Sequence, residues 1–214
     1  MRTIVFVAAL AVAAGLAAPT AETAAPSPSP LPPGFERFVV DPSASTVSYR
    51  VDETFLGDNR FNTAVGTTNE VHGDIVVNRQ NPRASRVGRI TVDISALRSD
   101  STRRDNAIRN RWLESARYPL AEFLTTEIRG LPQTYREGEA LKVAVVGNLK
   151  IRDVIRQTTF DATLTLSGAT LTAVATTEIR MTDFGFEPPS ILGFVRAQNE
   201  AKLELRLTAR RAPR

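Results

Sequence analysis

Apolar and polar residues alternate along most of the chain from residue 38 onward. The segment TVSYRVD (46–52) places Val47, Tyr49 and Val51 on one face and polar side chains on the other. A strand with one apolar face is typical of an antiparallel sheet that buries one side and exposes the other. The same period of two returns at 71–77, 90–94, 121–128, 141–151, 160–166, 171–179 and 201–209. The pattern therefore predicts eight antiparallel strands.

The predicted strands are joined by short links such as Ser167-Gly168, which indicate hairpins between neighbours. Strands with one apolar face lose their exposed edges when they close into a barrel. The interior of a barrel of about eight strands holds packed side chains or one small ligand. We therefore predict an all-β fold: an eight-stranded antiparallel barrel with one short helix capping an end. A two-sheet sandwich has the same period and stays open as an alternative.

One segment breaks the period of two. Residues 103–123, RRDNAIRNRWLESARYPLAEF, contain five arginines and the only tryptophan of the chain. Ile108 and Trp112 are spaced as on one face of a helix, and Pro119 would end it. We predict a helix over about 104–114 whose apolar side covers one barrel end, with arginines around it. A gate beside a ligand and a plug that only completes the core both satisfy this pattern.

The N-terminal residues differ in composition from the rest of the chain. Arg2 is followed by an apolar stretch, 4–18, which is short for a membrane span and typical of a secretory signal. Residues 19–34 are rich in proline, serine and alanine, as in an extended spacer. We predict a signal peptide (1–18), a linker (19–34) and one barrel domain (35–214), in a periplasmic or secreted protein of the bacterial cell envelope. An uncleaved membrane anchor is the alternative for the first segment.

The residue types of the chain exclude several kinds of chemistry. It has no cysteine, so it forms no disulfide, thiolate nucleophile or cysteine metal site. His72, the single histidine, falls in a predicted strand, and the GxSxG, GxGxxG and Walker patterns do not occur. The net charge is +4, but arginines alternate with acids and do not form a dense basic face. We predict no enzyme, no cofactor, no metal and no nucleic-acid partner.

Four blocks of sequence carry a family resemblance. They are DPSASTVSYRV (41–51), the run from Ile94 to Phe123 with Arg104-Asp105 and Tyr118-Pro119, GNLKIRDVIRQTTF (147–160) and EIRMTDFGF (178–186). In this order they resemble the YceI-like proteins, also called polyisoprenoid-binding periplasmic proteins. The resemblance implies a lipocalin-like barrel around an isoprenoid lipid or quinone-like molecule. It also implies a carrier or sequestering protein without catalytic residues.

On this basis we predict that the lipid tail lies in the barrel and the polar head at its mouth. The connections 53–70 and 182–199 are predicted to form that mouth, and any contact with a membrane is predicted to be transient. The candidate ligand-binding residues are apolar or aromatic and lie on inward strand faces, on the helix or in the second connection. They are Tyr49, Ile94, Ile108, Trp112, Phe123, Val145, Phe160, Leu164, Phe184, Phe194, Leu203 and Leu205.

A charge network is predicted near the same barrel end. Asp105, Arg180 and Asp183 are expected to share contacts there and to stabilise the fold. Two competing functions stay open beside lipid binding. One is a structural or stress-response envelope protein with a filled core, and the other is an enzyme that acts on a lipid inside the barrel.

Overall fold

The structure is a computed structural model that describes residues 31–57, 59–191 and 194–213. The predicted signal peptide and most of the predicted linker lie outside these residues. Among the helices of the described part, none is long and apolar enough to cross a membrane.

Strands make up most of the described chain, and fourteen strand segments join into one sheet. They are β1 (Phe35–Val40), β2 (Thr46–Phe55), β3 (Arg60–Thr68), β4 (Val71–His72), β5 (Asp74–Asn78), β6 (Arg86–Val87), β7 (Arg89–Asp93), β8 (Leu120–Arg129), β9 (Ala140–Ile151), β10 (Val154–Ser167), β11 (Thr170–Arg180), β12 (Ser190–Ile191), β13 (Val195–Ala197) and β14 (Glu200–Arg211). One α-helix is present within the described ranges, α1 (Thr102–Ala107), and it continues into a π-helical turn, Ile108–Trp112.

The sheet is antiparallel and curls round an interior. Its strands follow the order β12-β13-β2-β14-β11-β10-β9-β8-β7-β4. The chain segment 60–78 joins the two margins of the sheet. In this segment β3 pairs with β2 on one side, and β4, which follows β3, pairs with β7 on the other side. In the same segment, β5 pairs with both β1 and β6. A mostly-β fold with one short helix agrees with the sequence prediction.

The predicted count of eight strands is not confirmed, because short turns divide the sheet into more segments. A turn at Pro42–Ala44 separates β1 from β2, and one or two residues separate β3, β4 and β5. The period of two continues from Val71 to Ile75 across the break between β4 and β5, so the sequence does not show that break. Strand β3 was predicted as part of a mouth connection. Its inward positions hold Asn62, Ala64 and Gly66, which are small or polar and conceal the alternation.

The core occupies one end of the interior, which we call the packed half. Phe38 of β1 and Ala209 of β14 are fully buried there. Their neighbours on adjacent strands are also buried, so side chains fill this end at close contact. The packed half consists of Phe38, Val40, Ile75, Val77, Leu166, Leu171, Leu207 and Ala209. The other end, towards α1, we call the hollow half.

Candidate ligand-binding cavity

The hollow half contains a cavity of about 1260 Å³. Pockets for drug-sized ligands have volumes of roughly 300–1,000 Å³, so this cavity has room for a larger molecule. Its walls are the inward faces of β2, β7, β8 and β9, together with those of β10 and β14, which also contribute to the packed half. The apolar wall residues are Val47, Val51, Ile90, Val92, Phe123, Leu149, Ile151, Phe160, Ala201, Leu203 and Leu205.

Two phenylalanines stand between the cavity and the packed half. The ring centroids of Phe123 and Phe160 are 5.0 Å apart with an interplanar angle of 77°. This edge-to-face arrangement is the favourable geometry for a pair of aromatic rings. Both rings line the cavity, whereas Ala162, the next inward residue of β10 after Phe160, is buried and does not line it. They therefore act as the floor of the cavity.

Helix α1 and the turn after it cover the opposite side. The hydroxyl of Ser101 accepts a hydrogen bond from the backbone N–H of Arg104 and caps the helix. The buried carboxylate of Asp105 accepts from the N–H of Ser99 at 2.9 Å and from its hydroxyl at 2.6 Å. These bonds hold the first turn of the helix against the preceding loop.

The π-helical turn brings two predicted site residues to the cavity. Ile108 and Trp112 both line it. The turn closes with a hydrogen bond from the N–H of Leu113 to the carbonyl of Ile108 at 2.8 Å. Turns of this type occur often at functional sites. The prediction of a short helical cover is confirmed, but it begins and ends about two residues earlier than expected.

A polar cluster joins this cover to the wall. The guanidinium of Arg104 donates to Oε1 of Glu53 at 3.0 Å, and the amide of Asn62 donates to the same oxygen at 2.7 Å. Arg104 also pairs with Asp100. Glu53 is only 8% exposed, so its charge depends on these partners. The cluster places one guanidinium and two carboxylates at one end of a mostly apolar cavity.

Tyr49 lies beside this cluster and lines the cavity. Burial raises the pKa of Tyr49 to about 12, while the charge of Arg104 acts in the opposite direction. The ring rests on Gly66, where a Cβ would come within 2.2 Å of Cε1, so only glycine fits beneath it. Its hydroxyl has no hydrogen-bond partner among the described residues. At neutral pH the hydroxyl is protonated and available to donate to a ligand oxygen.

Most of the predicted ligand-binding residues line the cavity. They are Tyr49, Ile94, Ile108, Trp112, Phe123, Phe160, Phe194, Leu203 and Leu205. Ile94 does so from a short 3-10 turn, Ile94–Ala96, and not from a strand as predicted. That these residues contact a ligand stays a prediction.

Three predicted residues do not line the cavity. Val145 is buried beyond the floor, opposite Phe160 in the strand register. Leu164 packs against the core and pairs with Leu141 and Ala173, farther from α1. Phe184 is 2% exposed and buried in a 3-10 turn, Met181–Phe184. The period of two identified the inward side of the strands but not the depth at which the cavity ends.

The predicted charge network is wrong. The side chain of Arg180 is 62% exposed and lies 4.0 Å from the exposed Glu200. Asp183 is exposed, and Asp105 binds Ser99 instead. Ile179 faces the cavity, so the next residue of the strand must face solvent. The alternation itself, applied to β11, would have given the correct side for Arg180.

The polar cavity residues were missed by the sequence analysis, although a signal for one of them exists. Glu53 shares the inward parity of Tyr49 and Val51. An acidic residue in an inward position at a strand end is unusual and marks a partner of opposite charge. His72 lies exposed in β4, as predicted for a strand residue. In the described ranges no cluster of histidine, aspartate and glutamate could hold a metal ion.

A curled antiparallel sheet around an apolar cavity with a helical cover defines a small-ligand-binding protein of lipocalin-like type. The sequence model of the YceI-like domain matches residues 38–209, and the chain belongs to this family. A UPF0312 protein of Photorhabdus laumondii is 27% identical over 131 residues, which are 57% of this chain and 64% of that protein. A UPF0312 protein of an Enterobacter species is 29% identical over 100 residues, 46% of this chain and 47% of that protein. The chain thus spans less than two thirds of these relatives.

Solved structures show the same fold. BcnA of Burkholderia cenocepacia has a TM-score of 0.62 at 18% identity, over 79% of this chain and 98% of that one. A domain of Saccharophagus degradans, described as polyisoprenoid binding and implicated in plant cell wall breakdown, has a TM-score of 0.62 at 12% identity. It covers 82% of this chain and 98% of that one. At these identities the likeness extends to the fold alone.

Proposed function

We propose that the protein binds an amphipathic isoprenoid-type lipid and carries or sequesters it in the bacterial cell envelope. The observation behind this proposal is the cavity of about 1260 Å³, which is mostly apolar along its walls and has an ion pair, Arg104 with Glu53, beside α1. Membership of the YceI-like family and the fold shared with a polyisoprenoid-binding domain support it. We propose no catalytic step.

The energetics favour a chain of several isoprene units. One unit has five carbons, and burying it is worth roughly 4 kcal/mol at about 0.8 kcal/mol per CH₂ group. Association costs on the order of 4–15 kcal/mol in lost freedom. One unit would therefore be lost to water, while several buried units give a stable complex. A flexible chain of this kind suits a long apolar cavity.

The polar head lies beside Tyr49 and Arg104 in this proposal. The Tyr49 hydroxyl lines the cavity and has no hydrogen-bond partner in the described residues, so it suits a carbonyl or alcohol oxygen. Glu53 and Asp100 together carry more negative charge than the single positive charge of Arg104. An added negative charge at this position would meet two carboxylates, so an uncharged, quinone-like or alcohol head is favoured over a pyrophosphate.

The proposal is tested by the content of the purified protein and by a titration. Organic extraction followed by mass spectrometry should release a prenyl lipid. Trp112, the single tryptophan, lines the cavity, so its fluorescence should change saturably when a polyprenyl alcohol or quinone is added. Leu203→Arg, which places a charge in the cavity, should abolish the change.

The matched control is Val174→Arg on the outer face of β11, which should titrate like the unchanged protein. Circular dichroism shows whether both variants are folded. A flat titration of the folded, unchanged protein, together with an extract free of lipid, would contradict lipid binding. That result would favour the structural or stress-response alternative.

A further inference from the structure

Two residues with left-handed backbone conformation face each other at the end of the helical cover. Arg152 (φ 59°) is the first residue of the two-residue turn between β9 and β10, and Glu114 (φ 48°) follows the π-helical turn. Residues other than glycine are uncommon in this conformation, and a long side chain there is unfavourable. Two-residue hairpin turns usually have glycine at such a position. An arginine at position 152 therefore indicates a role for its side chain.

The side chain of Arg152 joins the β9–β10 turn to the cover. Its guanidinium forms an ion pair with Glu114 and donates to the carbonyl of Trp112 at 3.4 Å. It also lies 6.0 Å from the ring centroid of Tyr118, whose hydroxyl donates to the second turn residue, Asp153, at 3.4 Å. The arginine side chain is only 18% exposed, so its charged contacts are partly shielded from water. Strained backbone of this kind persists where the surrounding contacts fix it, and it is concentrated at functional sites.

The rest of the cover is attached to the wall by other groups. Helix α1 is fixed by its hydrogen bonds to the preceding loop and to Glu53. After α1, the guanidinium of Arg109 donates to two backbone carbonyls of the segment 95–97 at 3.3 Å. Beyond this point, the hydrogen bonds and ion pairs that link residues 110–117 to the wall are, in the part of the chain that the structure describes, those of Arg152. The second end of the cover thus depends on one side chain.

We propose that Arg152 is a positioning residue that holds the π-helical turn, and with it Trp112, closed over the cavity. When its bonds break, residues 110–117 lose their polar attachment to the wall, while α1 and Arg109 stay in place. The turn then opens at its far end and moves Trp112 away from the cavity that this residue lines. Segments held by few contacts open locally at low free energy. The cavity therefore opens at this end of the cover.

The consequence for a ligand rests on the proposed function. A lipid enters and leaves through the opened turn, so a weaker attachment accelerates both steps. The equilibrium affinity changes little while the closed form remains the major one, because the fraction of binding-competent protein then stays close to one. Arg152 thus sets the rate of exchange more than the strength of binding.

Hydrogen exchange tests the attachment without any lipid. The N–H of Leu113 donates to the carbonyl of Ile108, and the N–H of Ser115 donates to that of Arg109, both at 2.8 Å. These two amides exchange when the turn opens. Arg152→Gly should accelerate their exchange about tenfold, because hydrogen bonds to a charged group are lost. Glycine suits the backbone at this position, so the melting temperature should not fall.

Further variants separate the ion pair from the backbone. Glu114→Gly removes the partner at a position with the same backbone requirement and should accelerate the same amides. Combined with Arg152→Gly, it should add nothing, because both substitutions remove one interaction. Arg152→Lys keeps a positive charge and should give an intermediate rate. The matched control is Asn59→Gly, a left-handed residue (φ 51°) in the β2–β3 turn, which should leave both amides unchanged.

The effect on exchange of a ligand is measured by stopped-flow fluorescence of Trp112 with the polyprenyl alcohol geranylgeraniol. Arg152→Gly should raise the association and dissociation rates each about tenfold and change Kd by less than about twofold. Asn59→Gly should change neither rate.

Three outcomes would overturn the inference. They are unchanged exchange of the two amides in Arg152→Gly, an equal acceleration in Asn59→Gly, and an acceleration that is uniform over the barrel and accompanied by a lower melting temperature. Binding of geranylgeraniol with unchanged rates in Arg152→Gly would overturn the role in ligand exchange. A protein that shows the amide effect but binds no geranylgeraniol would refute the proposed function and leave the attachment of the cover standing.

Discussion

The packed half and the hollow half of the interior share strands β10 and β14 but differ in what the inward side chains of these strands meet. Strand β14 contributes to both: Leu207 and Ala209 are buried in the packed half, whereas Leu203 and Leu205 line the cavity. The alternation of apolar residues is the same along the whole strand. The period of two therefore determines which face is inward, and the contacts across the interior determine whether that face is filled.

The largest expected difference between the halves is in the cost of removing an apolar side chain. Phe38→Ala should lower the free energy of unfolding by about 3–5 kcal/mol, because a fully buried ring leaves a void. Leu203→Ala should cost about 1 kcal/mol, since part of its surroundings is already cavity. Urea denaturation of both variants measures the difference. Equal losses would mean that the hollow half is collapsed in solution.

The second prediction concerns the charges that join the cover to the wall. Arg104→Gln leaves the nearly buried Glu53 without its ion-pair partner and should cost about 2–4 kcal/mol. The double variant Glu53→Gln with Arg104→Gln should recover part of the loss. As a control, Arg180→Ala should change stability by less than about 0.5 kcal/mol, because its ion pair is exposed. A loss at Arg180 as large as that at Arg104 would contradict this assignment.

The smallest expected effect is the dependence on alkaline pH contributed by Tyr49. Its pKa is raised from 10.0 to about 12 in the folded protein, so its contribution is complete below about pH 10 and is lost between pH 10 and 12. Tyr49→Phe removes this contribution, and its stability should fall less steeply over that window, by on the order of 2 kcal/mol. Denaturation series from pH 8 to 12 for both proteins provide the comparison. Parallel curves throughout would show that the hydroxyl is not desolvated.

Much of the fold could be predicted from sequence because the burial of one sheet face imposes its period directly on the residues. Strands with bulky inward residues, such as β14, are plain in the pattern. Strand β3 is not, because Gly66 lies against the ring of Tyr49 and Asn62 binds Glu53. The residue type at each of these two positions is determined by its contact with a side chain of β2. A single sequence does not show which residue faces them.

The sequence predicted which strand faces and which helical cover form the candidate site, but not how far the cavity extends along the strands. Ile108 and Trp112 were assigned to the cover from helical spacing, and the structure places both at the cavity. Val145 and Leu164 have the same inward parity as the wall residues and nevertheless lie outside the lining. The border between void and core depends on the combined volumes of residues from many strands. The alternation along a single strand carries no information about these combined side-chain volumes.

The pair Phe123 and Phe160 has a further consequence as the floor of the cavity. Local opening requires the least free energy where buried apolar contacts are few, and such regions exchange amide hydrogens without global unfolding. The contacts below the two rings belong to the core, while those above them face a void and a short helical cover. The mouth elements are thus suited to sub-global opening while the core beneath stays protected. Under the proposed function, a lipid would enter and leave the cavity without unfolding of the packed half.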